Sequence, residues 1–392
     1  MRRLTLTAAA LAASVLLVTG CAATLSTDVT TTDKSASSST TTTTDTSTST
    51  STDTGSTSGD IDWSALPSTE VELTDEGLTI TEPGTYVLSG STTGQIVVNT
   101  DGNVRIILNG VTLDSADGAA IQVDSAENTV IELADGTTNS ISDAATRSDE
   151  EIDGAIYSAD DLLITGTGEL TVTANFADGI VGKDDLWIES GTITVTSVDD
   201  GIRGTDSLTV SGGTITVDAE GDGLKSTNDT DAGEGQLVIS GGDITVTSGD
   251  DAVKAEQQVT ITGGTIDVVS SVEGIEAPVI VIDDGTISIN ASDDGINAAA
   301  SAIVTSGLNV TINGGDITIV MGSGDTDAID SNGDITITGG TIDITAQSAT
   351  DFDGTGTLSG GTLIVNGSEV TELTSQMMGG GGGMGGGGGQ RP

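Results

Sequence analysis

Between Phe176 and Ala298 one phrase of about 22 residues repeats almost without pause. Each copy opens on an acidic turn followed by an apolar residue: Asp178-Gly179-Ile180, Asp200-Gly201-Ile202, Asp222-Gly223-Leu224, Asp251-Ala252-Val253, Glu273-Gly274-Ile275 and Asp294-Gly295-Ile296. A second phrase travels with it, in Gly191-Thr192-Ile193-Thr194-Val195, Gly213-Thr214-Ile215-Thr216-Val217, Gly242-Asp243-Ile244, Gly264-Thr265-Ile266 and Gly285-Thr286-Ile287. The steps from glycine to glycine are 22, 29, 22 and 21 residues. A fixed period of this size is the signature of a solenoid, in which each repeat buries its apolar face only against its neighbours.

Each repeat holds three short stretches with strand character. One follows the acidic turn, one resembles Leu208-Thr209-Val210, and one is the Thr-Ile-Thr-Val piece, where Ile215 and Val217 alternate with Thr214 and Thr216. Period-2 alternation marks a strand with one buried face. Three strands per repeat give a three-sided coil, and stacked coils place each strand roughly 4.8 Å from its equivalent. The expected fold is therefore all-β, a right-handed parallel β-helix, with glycines at corners that need positive φ.

The repeat continues through Gly315-Asp316-Ile317, Gly340-Thr341-Ile342 and Gly361-Thr362-Leu363, and less regular first coils are expected from Gly84 to Leu133. Longer steps mark loops around Asn228 to Gly235 and Asn297 to Gly307. Residues 1–20, a charged start and an apolar run ending in Val18-Thr19-Gly20-Cys21, read as a lipoprotein signal peptide with Cys21 as the lipidated residue. Residues 21–60 are Thr, Ser and Asp with almost no large apolar side chain, which suits a disordered tether. The β-helix is expected over 61–375, followed by a flexible glycine-rich tail over 376–392. These signals place the protein, expected to be a monomer, on the outer face of a bacterial membrane.

The formal charge is −50, from 60 acidic and 10 basic residues with no histidine and one cysteine. Such a balance repels nucleic acid. It also removes Ser-His-Asp catalysis, Cys-His pairs and nitrogen or thiolate zinc sites. Carboxylate and carbonyl oxygens remain, the ligands that suit calcium. Acidic corners stacked about 5 Å apart repel by roughly 1 kcal/mol per pair even in water. Calcium held by the doubled carboxylates Asp199-Asp200, Asp250-Asp251 and Asp293-Asp294 would offset that repulsion; the other reading is that these side chains only cap turns. Asp229 and Asp231, in Asn228-Asp229-Thr230-Asp231, have some of the character of a calcium loop but lack its full spacing.

Arg203, Lys225 and Lys254 each directly follow the inward apolar residue of the first strand, so they point outward in one column. Glu276 and Asn297 continue it, and Lys183 lies near its start. The row either neutralises the acidic corners or forms a track for a polyanionic sugar. Trp187 lies between inward Leu186 and Ile188, which turns its indole outward, where it could stack on a sugar ring.

The runs Thr85-Tyr86-Val87-Leu88-Ser89-Gly90, Ile107-Leu108-Asn109-Gly110-Val111, Asp178-Gly179-Ile180-Val181-Gly182-Lys183, Asp199-Asp200-Gly201-Ile202-Arg203-Gly204 and Asp327-Ala328-Ile329-Asp330 resemble a family of secreted bacterial carbohydrate-binding β-helix proteins with a pectate-lyase-like fold. The resemblance spans roughly Pro67 to Val370. It implies calcium at acidic corners and binding to a plant-type polysaccharide such as polygalacturonate or cellulose. Carried over position by position, it makes Asp199, Asp200, Asp222, Asp250, Asp251, Asp293 and Asp294 the metal-ligand candidates.

Three functions follow as expectations. The first is calcium-dependent binding of an acidic polysaccharide without cleavage, with Arg203, Lys225, Lys254, Lys183 and Trp187 at the sugar. The second is a calcium-dependent polysaccharide lyase, with Arg203 as base and Lys225 beside it. The third is a structural adhesin or surface spacer.

Overall fold

The computed structural model describes residues 61–323 and 326–375. Cys21, the signal peptide, the tether and the glycine tail lie outside the described residues.

The chain winds into a parallel β-helix. One coil runs through Ile202–Gly204, Ser207–Val210 and Thr214–Ala219, and the next through Leu224–Ser226, Gln236–Ile239 and Asp243–Ser248. Each strand pairs in parallel with its equivalent one coil on: Ile202 with Leu224, Leu208 with Leu237, Ile215 with Ile244. The first face of the coils forms a 12-stranded sheet, while the other two are joined into one of 24 strands. They join because the early strand Val104–Asp114 runs around a corner, pairing with Thr129–Leu133 before it and Thr138–Ser142 after it. At that corner Asn139 Oδ1 accepts from the N–H groups of Gly110 and Val111, both at 3.0 Å.

The alternation read from the sequence becomes columns of buried side chains. Ile193, Ile215, Ile244, Ile266, Ile287, Ile317 and Ile342 stand above one another, none more than 2% exposed. Each such side chain stabilises the fold by about 1.5–3 kcal/mol through removal from water. The stack is closed at its C-terminal end by Ser368–Val370, which turns back antiparallel to Thr362–Val365 and breaks the parallel pattern there.

The corner glycines are of two kinds. Gly213, before the Thr-Ile-Thr-Val strand, has φ 93°, as the expectation of positive φ requires. Gly201, inside the acidic turn, does not; a Cβ there would collide with Val217 Cγ1, so this glycine is set by close packing.

Candidate functional site

The acidic turns stack along the first face, and the carboxylates of Asp178, Asp200 and Asp222 each have two tasks. Asp178 Oδ1 accepts from the backbone N–H of Asp200 at 3.1 Å, Asp200 Oδ1 from that of Asp222 at 3.0 Å, and Asp222 Oδ1 from that of Asp251 at 2.9 Å. Asp294 Oδ1 does the same for Asp327 at 3.0 Å. These buried donors at the corner would otherwise go unmet, a loss of about 1–3 kcal/mol each.

The second oxygen faces the neighbouring column. Cross-coil register runs Val181, Arg203, Lys225, Lys254, Glu276, Asn297, Asp330, Asp351. Arg203 Nε donates to Asp178 Oδ2 at 2.7 Å and its Nη2 pairs with Asp153. Lys225 Nζ lies 3.0 Å from Asp200 Oδ2 and 2.6 Å from Asp222 Oδ2. Lys254 Nζ lies 2.6 Å from Asp251 Oδ2 and also bonds Glu276. Arg203, Lys225 and Lys254 thus neutralise the acidic column. Burial alone would lower the Arg203 and Lys225 pKa values, but the carboxylates of Asp178 and Asp153 around the first, and of Asp200 and Asp222 around the second, outweigh it and raise both. Neither is suited to take up a proton as a base. Lys183 lies two residues past Val181, off this column; it is exposed and makes no ion pair among the described residues.

Trp187 corrects the expectation of an exposed sugar platform. Its indole does leave the coil outward, in register with Leu163 and through it Val130, but these three form a buried cluster against which Trp63 packs, and Trp187 is only 4% exposed. Arg105 lies 6.0 Å from the Trp63 ring centroid and bonds Glu132, holding this cover in place.

Carboxylate oxygens come within 4.8 Å of one another in three groups among the described residues: Asp222 with Asp250 and Asp251, Asp251 with Glu273 and Glu276, and Asp327 with Asp330 and Asp351. Their donors are all oxygen, so the chemistry fits a hard ion such as calcium. Burial, then the charge of Glu276, pushes Glu273 up to about 7. Of the residues expected to hold metal, Asp222, Asp250 and Asp251 meet in the first group. Asp200 lies beside it in the ladder, bonded to Lys225. Asp199 and Asp293 are exposed at the corners, and with Asp229, Asp231 and Asp294 they belong to none of the three groups. In the loop, Asn228 Oδ1 accepts from the N–H groups of Thr230 and Asp231 at 3.0 and 2.9 Å, and Gln257 Nε2 donates to the Asp231 carbonyl at 2.6 Å. That loop is held by its own turn and by the next coil. Sequence reasoning missed Glu273, Glu276, Asp327, Asp330 and Asp351 as a carboxylate series, although the repeat period already aligned them.

On another corner a second acidic cluster contains Asp161, Asp184, Asp185 and Asp206. Asp161 is pushed up to about 6 by burial and then by the Asp185 charge; Asp184 is pushed up to about 7 by burial and then by its hydrogen bond with Asp206.

A shallow groove follows the glycine corner along the stack. One segment, about 530 Å³, runs from Gly166 and Thr167 past Gly213 and Thr214 to Thr265; the next, about 410 Å³, continues from Gly264 past Thr286 to Thr341. Its floor is glycine backbone, and its walls carry a hydroxyl or carboxylate on each coil: Thr192, Thr214, Asp243, Thr265, Thr286, Asp316 and Thr341.

A relative from Acetivibrio thermocellus, described as a carbohydrate-binding domain-containing protein, is 39% identical over 133 residues, which are 32% of this chain and 46% of the relative. This chain therefore matches about half of that relative's length. A solved structure described as a polysaccharide lyase-like protein from C. thermocellum, in its gadolinium derivative, is 32% identical with a TM-score of 0.50, covering 54% of this chain and 92% of that one. The model of the family described as carbohydrate-binding domain-containing protein matches residues 74–324 and 261–376, and this chain belongs to that family.

Proposed function

We propose that this chain binds a linear polysaccharide without cleaving it, with the sugar lying along the stack in the glycine-floored groove. The observation that carries this reading is the match of repeats. Each coil advances about 4.8 Å, close to the rise of one sugar in an extended 1,4-linked chain, and each offers one hydroxyl or carboxylate at the groove wall. Acidic chains such as polygalacturonate engage through calcium shared with Asp243 and Asp316, because a surface of formal charge −50 otherwise repels them. Lys183, exposed on a different corner, lies away from a sugar held in this groove and is not assigned to it. Cys21 carries the lipid anchor that holds the domain at the outer face of a bacterial membrane. Binding without cleavage is supported by the pairing of Arg203, whose carboxylate partners keep it protonated.

A glycan array probed with the full chain, with and without chelator, tests this reading. Binding to linear uronate or glucan chains, lost for uronates on chelation and weakened in Thr214→Met/Thr265→Met, is expected. Absence of binding to every linear glycan, or release of unsaturated uronates absorbing in the ultraviolet, overturns it.

A further inference from the structure

On the second face of the stack, formed by strands such as Asp185–Ile188 and Ser207–Val210, one outward column meets chain from outside the coils. Arg105, Val130, Leu163 and Trp187 stand in register on four successive strands of this face. The last three are buried, and Trp63 packs against them. Arg105, 6.0 Å from the Trp63 ring centroid and bonded to Glu132, closes one end of the column.

The segment that carries Trp63 and the strand that follows it are attached in different ways. Ser68–Leu73 pairs residue by residue with residues 85–90, and just before it the Thr85 N–H donates to the Pro67 carbonyl at 2.8 Å. Residues 61–66 have no such ladder. Among the described residues their hydrogen bonds run only within the segment: the Trp63 N–H donates to the Ile61 carbonyl, that of Ala65 to Asp62 and that of Leu66 to Trp63, while Ser64 bonds the Asp62 carboxylate. None of the six residues is buried. The Trp63 ring and the cation beside it therefore hold this segment to the stack, and attachment passes from side chain to backbone at Pro67. The seated ring also leaves the Trp187 Nε1–H buried without an acceptor, a donor that water satisfies once the ring departs.

We propose that residues 61–66 are a strap that opens about Pro67 while the β-helix stays folded, covering or baring the apolar column of Val130, Leu163 and Trp187 according to whether Trp63 is seated. A segment held by a few apolar contacts and no shared backbone bonds opens at a lower free energy than the coils beneath it. Chain continuity gives the strap a task. A pull through the residues that precede Ile61 reaches it before it reaches the first strand, so the strap yields and the ladder beyond Pro67 is spared. The inference rests on neither the sugar nor the lipid anchor proposed above, and its test uses neither.

The experiment is labelling by iodoacetamide of single thiols in the folded full chain, with Cys21→Ser removing the native cysteine. Leu163→Cys places a thiol in the column against which Trp63 packs, and Ile215→Cys places one inside the coil. Leu163→Cys is expected to react at least about 100-fold faster than Ile215→Cys, because it needs the strap to open and not the coils to unfold. Arg105→Ala should speed Leu163→Cys about tenfold further, with little change at Ile215→Cys. Trp63→Ala should bring Leu163→Cys close to the rate of Ser64→Cys, a thiol on the exposed side of the strap. Equal rates at Leu163→Cys and Ile215→Cys overturn the strap, and so does a Leu163→Cys rate that Trp63→Ala or Arg105→Ala leaves unchanged.

Discussion

Asp200 Oδ1 accepts a hydrogen bond from the backbone N–H of Asp222 at 3.0 Å, and the same carboxylate's Oδ2 lies 3.0 Å from Lys225 Nζ. One side chain thus stitches two coils through the backbone and anchors the cation between them. Asp200→Ala removes both contacts and should destabilise by about 2–4 kcal/mol. Asp200→Asn keeps an oxygen for the Asp222 amide and should lose about half of that. Urea unfolding of the two variants decides it; equal midpoints would show that the backbone bond contributes nothing.

Lys225 sits between two carboxylates whose side chains are 9% and 3% exposed, so removing it strands buried charge. Lys225→Met should destabilise by about 3–5 kcal/mol near neutral pH. Urea unfolding at neutral pH measures the loss, and a Lys225→Met chain with the wild-type midpoint contradicts the pairing.

The two tryptophans of the chain belong to one apolar assembly, Trp63 packing against the cluster of Val130, Leu163 and Trp187. Trp63→Ala should uncover Trp187, shift its emission to longer wavelength and destabilise by about 2 kcal/mol. Trp187→Phe should leave polysaccharide binding unchanged. Reduced glycan affinity in a folded Trp187→Phe chain would restore the sugar-platform role that the geometry removes.

The periodicity in Ile215, Ile244 and Ile266 made the coil and its columns legible, because alternation fixes which side chains face the core and a constant step fixes what stands above what. The direction of Trp187 was legible for the same reason. Its burial was not, since Trp63 arrives from the irregular segment before the first strand, and no period links the two. Register also aligned Arg203, Lys225 and Lys254, but their pairing with Asp178, Asp200, Asp222 and Asp251 depends on side-chain reach. That reach turned expected metal corners into ion pairs along the first half of the face. The two glycine classes were likewise hidden: Gly201 and Gly213 look alike in sequence, yet one answers to a neighbour's methyl group and the other to its own backbone.

Asp161 and Asp184 make stability depend on pH in a direction that can be worked out. Their pKa values are raised in the folded state, to about 6 and about 7, so between about pH 4 and those values the folded chain holds protons that the unfolded chain has released. Stability from these groups is fully present below the unfolded carboxylate pKa and is lost as pH rises through about 6 to 7. Asp161→Asn and Asp184→Asn imitate the protonated forms. In the first, the amide oxygen replaces Asp161 Oδ1, which accepts from the Asp185 N–H at 3.4 Å, so that backbone donor keeps an acceptor. The double variant should therefore gain stability over wild type at about pH 8 and match it near pH 4, giving a flatter profile of urea midpoint against pH. A profile as steep as that of wild type would place the titration elsewhere on the stack.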